Sequence, residues 1–217
     1  MEVLNANEKL IAHEDNVRAG SVIPGGVHKA YNLFLAKNSQ GNYILIVFMK
    51  VQFFFRNGAD SKWTDSEKNI YIQQWTSSIS NTWGNNRVIK TLADGKTVTV
   101  DFRFKTRIGG FMIDHWEITV TKIPAGSFRQ SYIQPKLKNV TLDSEDISLT
   151  PKGFNQKQRG AVHEFGHMLG LEDEYQDTSN YSTQYTSVMN RGEMINLRHD
   201  TFYVQWLDKV LNKKNQS

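Results

Sequence analysis

The chain has 217 residues, of which 39% are hydrophobic and 22% charged, a composition typical of one folded domain and not of a disordered protein. It contains no cysteine, which excludes disulfides, thiolate metal ligands and a cysteine nucleophile, so any metal ion must be bound through nitrogen and oxygen atoms. The formal charge of +4 favours acidic partners only weakly, and the basic residues form no stripe interleaved with aromatics, so we expect no nucleic-acid partner.

The N-terminal segment has no clear apolar periodicity. It ends in Pro24-Gly25-Gly26, so we expect an N-terminal arm over residues 1–25 and a single domain over residues 26–217. Charged residues recur through residues 1–20, and no apolar stretch there has the length of a signal peptide. The expectation is a protein that stays cytoplasmic until a specialised secretion system secretes or injects it.

The first strands are predicted on both sides of a turn-like segment at residues 38–42. Residues 33–37 and 43–55 flank this segment, and the second stretch is rich in β-branched and aromatic residues. The two stretches are therefore predicted to form a hairpin whose second arm is a core strand. Lys50 and Gln52 interrupt the second arm, which makes it too short and too polar to span a membrane.

A helix and two strands are predicted next. Asp65 or Ser66 can cap the helix, which is expected to end near Gly84. Residues 97–105 and 114–122 alternate apolar and polar side chains, as half-buried strands do, and are predicted to be adjacent. The helix carries apolar residues at roughly helical spacing: Ile70, Trp75, Ile79 and Trp83.

The last part of the chain is predicted to contain one strand, over residues 131–141, and two helices. Asn155 can cap a helix over residues 156–170, with Gln158 in the place where a capping box expects Glu or Gln. A final helix is predicted over residues 197–212. Together these elements predict an α+β fold in which a twisted mixed sheet packs on helices.

The candidate active site lies on the second predicted helix, in the sequence His163-Glu164-Phe165-Gly166-His167. His163 and His167 are four residues apart, so both imidazoles lie on one helical face and can bind one ion. Glu164 is rotated by about 100° from His163, so it can border the ion and take a proton from a water on the metal. The opposite face, with Val162, Phe165 and Leu169, is predicted to anchor the helix in the core.

A chance arrangement on an amphipathic helix is the alternative to this interpretation, and a third ligand helps to decide between them, because catalytic zinc usually has three protein ligands. Gly170 follows His167 by three residues, where a left-handed residue would turn the chain back toward the metal, and Asp173 follows by six. The arrangement resembles the metzincin pattern His-Glu-x-x-His-x-x-Gly-x-x-His, with Asp173 in place of the third histidine. Snapalysin-type bacterial peptidases carry such an aspartate, whereas the alternative for Asp173 is a solvated acidic turn with Glu174.

A second mark of this resemblance is a Met-turn beneath the metal, which residues 186–190 match at Met189. The chain departs from the family at Arg191, where many metzincins carry a tyrosine that helps to bind the reacting oxygen. His199 and Tyr175 are the candidates for that role. His199 is also the alternative third ligand.

The resemblance implies a zincin-like, metzincin-type fold with an active-site helix, a Met-turn and a C-terminal helix. It also implies a zinc metalloendopeptidase in which His163, His167 and Asp173 bind Zn²⁺ and Glu164 is the general base. The expected substrate is a protein or a peptide, including the peptides of peptidoglycan. The chain also resembles bacterial zincin effector toxins that secretion systems inject. The alternative of a different class is a catalytically inactive zincin-fold module that binds a metal or a partner.

Overall fold

In the computed structural model, which describes residues 3–59, 61–111 and 114–214, a mixed eight-stranded sheet packs against helices. The strands of the sheet are β1 (Lys9–Ala19), β2 (Val27–Lys37), β3 (Tyr43–Arg56), β4 (Val88–Thr91), β5 (Thr97–Ile108), β6 (Trp116–Thr121), β7 (Tyr132–Gln134) and β8 (Asn139–Asp143). A separate hairpin is formed by β9 (Thr150–Gly153) and β10 (Gln156–Gln158). The helices are α1 (Asp65–Ile79), α2 (Gly160–Met168) and α3 (Thr201–Lys214), with a π-helical turn after α1 and a 3₁₀ turn before α3. The predicted α+β class is confirmed.

Strand β3 is the centre of the sheet because it is hydrogen-bonded along both edges. On one edge, β2 pairs antiparallel with residues 43–48 and β6 pairs parallel with residues 51–56. On the other edge, β5 pairs parallel with residues 43–53. The sheet extends outward through β1 beside β2, β4 beside β5, and β8 and then β7 beside β6. The predicted hairpin of the first two stretches is confirmed as β2 and β3.

The prediction that the strands now labelled β5 and β6 are adjacent is wrong, because β3 lies between them. The chain crosses from one edge of β3 to the other between these strands. Gln52 supports the crossing: its side-chain amide donates to the carbonyl oxygen of Gly109 at 2.9 Å and to that of Gly110. Both glycines have positive φ, 56° and 72°, which lets the chain turn sharply there. Such non-local pairing has no signature in the alternation of either strand.

The N-terminal segment differs from the predicted arm, because much of it is strand β1. This strand pairs antiparallel with β2 from Lys9 opposite Lys37 to Ala19 opposite Val27. Its register shifts at three places, so apolar and polar side chains do not alternate regularly along it. The alternation pattern therefore does not predict this strand from the sequence. Arg103 on β5 also bonds the Glu8 carboxylate at 2.7 Å, which ties the start of the segment to the sheet.

Helix α1 begins with a capping box in which Thr64 and Glu67 each bond the other's backbone N–H, at 3.2 and 2.8 Å. The cap therefore lies just before the predicted Asp65 or Ser66. The buried face includes Tyr71, while Ile70 is 49% exposed, so this part of the predicted inner face is shifted by one residue. The other predicted core positions are buried: Trp75, Ile79 and Trp83.

The segments before the second helix also differ from their predictions. Residues 131–141 contribute to two antiparallel strands, β7 and β8, instead of one. Asn155, the predicted helix cap, lies in the turn between β9 and β10 with φ of 55°. Helix α2 consequently begins at Gly160 and not at residue 156. The last predicted helix is confirmed as a 3₁₀ turn followed by α3. None of the helices in the described ranges is long and apolar enough to cross a membrane.

Candidate metal centre

Helix α2 is buried along its whole length, and its apolar face is the part that fixes its position. Val162, Phe165 and Leu169 are at most 1% exposed, as predicted. The indole N–H of Trp83 donates to the carbonyl oxygen of Val162 at 3.1 Å. The ring of Phe165 lies 5.5 to 6.2 Å, edge to face, from four aromatic rings, those of Trp75, Trp83, Phe102 and Phe104. These contacts hold the helix so that its two histidines face a cleft.

Three side chains converge on one point of that cleft: His163, His167 and Asp173. Their potential ligand atoms all lie within 4.8 Å of one another. One oxygen of Asp173 is 3.1 Å from Nε2 of His163 and 3.2 Å from Nε2 of His167. Burial alone would raise the pKa of Asp173, but the two histidines outweigh it and hold the pKa well below its usual range. The group could hold a metal ion.

Backbone carbonyl groups orient both histidines toward this point. Nδ1 of His163 lies 2.9 Å from the carbonyl oxygen of Val188, and Nδ1 of His167 lies 2.8 Å from that of Leu171. A carbonyl oxygen can only accept, so each Nδ1 carries the hydrogen and each Nε2 presents a lone pair to the centre in the neutral ring. Metal-binding histidines in proteins are held in the same way, so the donor set fits a metal ion.

The turn after α2 brings Asp173 back to the histidines. Gly170 has a φ of 93°, which confirms the predicted left-handed residue at this position. Its carbonyl oxygen accepts hydrogen bonds from the N–H groups of Ser21 and Val22 at 3.0 and 3.1 Å. A Cβ atom on Gly170 or on Gly20 would overlap the backbone of the other glycine. The N-terminal segment is thereby held against the turn, and Val22 becomes part of the cleft wall.

Met189 lies directly beneath α2, where a Cβ atom on Gly166 would overlap its sulfur. The methionine is fully buried, and its carbonyl oxygen accepts a hydrogen bond from the N–H of Glu174 at 2.8 Å. The buried side chain of Gln158 donates to the carbonyl oxygens of Val188 and Gly192 on either side, at 2.8 and 2.7 Å. The segment around Met189 is thus fixed against the helix, and it supplies the carbonyl that orients the first histidine.

Glu164 lines the cleft beside the ligand group and is 5% exposed. Burial raises the pKa of its carboxyl group, while the nearby histidines and a hydrogen bond from Ser131 act in the opposite direction. A second acid, Asp146, lies close behind, where a Cβ atom on Gly160 would overlap its carboxylate. Burial first, and then the charge of Asp143, raise the pKa of Asp146 to about 7. Neither Ser131 nor Asp146 was predicted from the sequence, since both come from the β7–β8 region.

The two remaining predicted site residues lie in different environments. The hydroxyl of Tyr175 donates to the second oxygen of Asp173 at 2.9 Å, and its ring stacks on His163 at 6.2 Å. His199 is 2% exposed, with Nε2 3.1 Å from the Glu174 carboxylate and Nδ1 accepting a backbone N–H from Asn196 at 3.1 Å. Because both of its nitrogens are used in this way, the structure does not support His199 as the third ligand or as a donor to substrate.

The ligand group opens into a cleft of about 590 Å³. One wall comes from Val22 and Ile23, and another from β7 and the two residues before it. The segment after Met189 contributes Asn190 and Arg191, and the β9–β10 hairpin contributes Lys152 and Gln158. The volume of the cleft is within the range of ligand-binding clefts in proteins.

No protein-family model matches the chain, and no curated protein matches it significantly.

Proposed function

We propose that the protein is a metzincin-like zinc metallopeptidase that hydrolyses peptide bonds in proteins or peptides. The observation that carries the proposal is the convergence of His163, His167 and Asp173 beside the carboxylate of Glu164 in an open cleft. Two imidazoles and one carboxylate are a donor set found in catalytic zinc sites, which use three protein ligands and leave one position open.

Each residue has a distinct role in this proposal. His163, His167 and Asp173 would hold the zinc ion, which, when bound, polarises a carbonyl group and lowers the pKa of a water molecule to about 7. Glu164 accepts the proton of the attacking water and transfers it to the leaving amine. Tyr175 orients the carboxylate of Asp173 by donating its hydroxyl hydrogen, so its oxygen can accept a hydrogen bond from the substrate but cannot donate one in this arrangement.

The edge of the sheet supports a peptide as the substrate. Strand β7 is the last strand on its side of the sheet, so in the described part of the chain one edge of its backbone has no partner strand. Tyr132 and Ile133 of this strand line the cleft next to the ligand group. An extended peptide can add to such an edge through main-chain hydrogen bonds, which would place it alongside Glu164.

The test combines zinc content with cleavage. Purified wild-type protein is expected to bind one zinc ion and to cleave peptides from a digest of mixed proteins. Glu164→Gln should keep the zinc and lose activity by about 10²- to 10⁴-fold, because it removes the general base. Glu172→Gln, which removes an exposed carboxylate outside the ligand group, serves as the matched control. Zinc-free wild-type protein, or full activity of Glu164→Gln, would refute the proposal.

A catalytically inactive metal-binding module is the second candidate. The observation that favours it is Arg191, which stands where many metzincins carry a tyrosine. The same experiment separates the two candidates, since an inactive module binds zinc and cleaves nothing. A role as a secreted or injected bacterial effector toxin is part of the first proposal and rests on the resemblance alone.

A further inference from the structure

Two cationic side chains in the cleft, Arg191 and Lys152, have no carboxylate partner among the ion pairs of the described residues. Other arginines around the site are neutralised by acids: Arg159 pairs with Glu193, Arg198 with Glu174 and Arg87 with Asp200. The acids that line the same cleft, Glu164 and Asp173, belong to the catalytic group. Away from that group, the charged lining of the cleft is therefore positive.

Arg191 is held in place although no acid binds it. Its guanidinium carbon lies 5.1 Å from the ring centre of Phe154, and that ring stacks on Tyr185 at 4.0 Å with an angle of 15° between the planes. One terminal nitrogen donates to the carbonyl oxygen of Lys152 at 3.1 Å. The Nε atom is buried and has no hydrogen-bond partner in the part of the chain that the structure describes. No ligand in the cleft can reach this buried atom, but only one of the two terminal nitrogens has a hydrogen bond among the described residues, so the other is the donor left for a ligand.

The position of Arg191 ties it to the reacting centre. It follows the segment whose carbonyl oxygen orients His163, and it lines the same cleft as Tyr175, which bonds Asp173. Lys152 extends from the β9–β10 hairpin with its ammonium group 5.5 Å from the ring centre of Phe128. A substrate bound in the cleft beside the ligand group would therefore have both cations within the same cleft wall.

We infer that Arg191, assisted by Lys152, forms a subsite for a carboxylate of the substrate, and that the protein prefers peptides with an acidic side chain next to the scissile bond. This inference rests on the proposed function, because it names the substrate preference of that site. A guanidinium group binds a carboxylate through two parallel hydrogen bonds, and a lysine adds a point charge. The same chemistry would also accept a C-terminal carboxylate, so the test includes both sources.

The first experiment compares the cleavage of peptide libraries that differ at one fixed position, which is Glu, Gln or Lys. Each library is prepared with an amidated and with a free C-terminus. With amidated peptides, the wild type should show kcat/KM about tenfold higher for Glu than for Gln, and Arg191→Gln should abolish the difference. Arg191→Glu should favour Lys. Arg56→Gln is the control, because Arg56 is an exposed arginine outside the cleft.

The outcomes distinguish the sources of the carboxylate. Faster cleavage of peptides with a free C-terminus than of amidated ones, equal for Glu and Gln and lost in Arg191→Gln, assigns the subsite to the terminal carboxylate and overturns the acidic side chain. Equal rates on Glu and Gln peptides, unchanged by Arg191→Gln, overturn the subsite altogether. Zinc content and thermal unfolding of each variant show whether the fold is intact.

A binding experiment separates this inference from the proposed function. Acetylated, amidated tetrapeptides with one Glu or one Gln are titrated into zinc-loaded Glu164→Gln protein and followed by NMR. If the wild type cleaves no library, the proposed function fails, and the titration still decides the subsite. Binding of the Glu peptide about tenfold tighter, lost on adding Arg191→Gln, supports the subsite. Equal binding of the two peptides overturns it.

Discussion

Two groups of histidine and carboxylate side chains meet at the turn after α2, which supplies the carboxylate of each, and only one group is arranged to hold a metal ion. In the first group, Nδ1 of His163 and of His167 donates to a backbone carbonyl, so both Nε2 lone pairs converge with Asp173. In the second group, Nδ1 of His199 accepts a backbone N–H, so its Nε2 carries the hydrogen and donates it to Glu174. The backbone group opposite Nδ1 thus determines which histidine can bind a metal through Nε2.

Asp173 and Glu174, the carboxylates of the two groups, are neighbours in the chain and also differ in their hydrogen-bond partners. Asp173 faces the two histidines and leaves space for an ion among them. Glu174 accepts two hydrogen bonds from the guanidinium of Arg198, at 2.6 and 2.8 Å, and one from the hydroxyl of Ser187. Its pKa is about 2, because these partners outweigh the effect of burial, which would raise it. Whether an acidic residue can bind a metal or has a structural role is therefore decided by its hydrogen-bond and ion-pair partners and not by its residue type.

If Asp173 is a metal ligand, zinc binding must depend on its carboxylate. Asp173→Ala should weaken zinc binding by more than about 100-fold, since even the loss of an outer partner of a ligand costs about 10- to 100-fold. The measurement is a zinc titration against a chelating dye. His199→Gln is the matched control and should retain the wild-type zinc affinity. Unchanged tight zinc binding by Asp173→Ala would show that the geometric group is not the metal site.

The second group should matter for stability and not for zinc. Glu174→Gln is expected to lower the free energy of unfolding by about 2–3 kcal/mol, because the Arg198 charge loses its partner and an amide N–H₂ faces other donors. Guanidinium denaturation of the zinc-free protein measures this change. The exposed Glu172→Gln should have almost no effect. If Glu174→Gln instead left stability intact and lowered zinc affinity, the assignment of the two groups would be reversed.

The ligand group could be predicted because it is local in sequence. The spacing of His163 and His167 follows from helical geometry, and Gly170 marks the turn that returns Asp173 to them. The residues that support this group could not be predicted, because they are distant from it in sequence. Ser131 and Asp146 reach α2, and Gln158 reaches the segment around Met189, from strands and loops whose pairing has no local signature in the sequence.

The start of α2 was predicted wrongly, at residue 156 instead of Gly160, because of tertiary contacts that the local sequence does not show. Asn155 and Gln158 have the spacing and residue types of a helix cap, but the segment pairs as the β9–β10 hairpin, and Asn155 adopts the left-handed conformation in its turn. The side chain of Gln158 instead bonds the carbonyl groups around Met189. Tertiary hydrogen bonds therefore outweigh the local capping-box pattern, which by itself favours a helix start.

A fourth histidine, His115, has the same arrangement as His199. Its Nδ1 accepts the N–H of Lys50 at 3.0 Å, and its Nε2 lies 3.0 Å from the side-chain oxygen of Asn32. Burial first, and then the charges of Lys50 and Lys138, lower the pKa of His115 from 6.5 to about 4. As the pH falls through this range, the unfolded chain binds a proton that the folded chain does not, so stability decreases.

The expected loss through His115 is roughly 2 kcal/mol between neutral pH and pH ~5, since the residue is buried in the folded state. Asp146, with its raised pKa, acts in the opposite direction over an overlapping range, so the wild-type curve alone does not isolate the histidine. The measurement is the difference in unfolding free energy between the wild type and His115→Gln as a function of pH. A difference that does not vary with pH would mean that His115 is protonated equally in both states.

The smallest expected effect concerns Tyr175, whose hydroxyl bonds the oxygen of Asp173 farther from the histidines. Tyr175→Phe should reduce zinc affinity by roughly tenfold, because outer hydrogen bonds hold a ligand carboxylate in its binding orientation. Tyr132→Phe is the control, since Tyr132 lines the same cleft without a hydrogen bond to Asp173. If Tyr175→Phe binds zinc as tightly as the wild type, orientation of Asp173 does not depend on the hydroxyl. The contrast between the two groups would then rest on the partners of the histidine Nδ1 atoms.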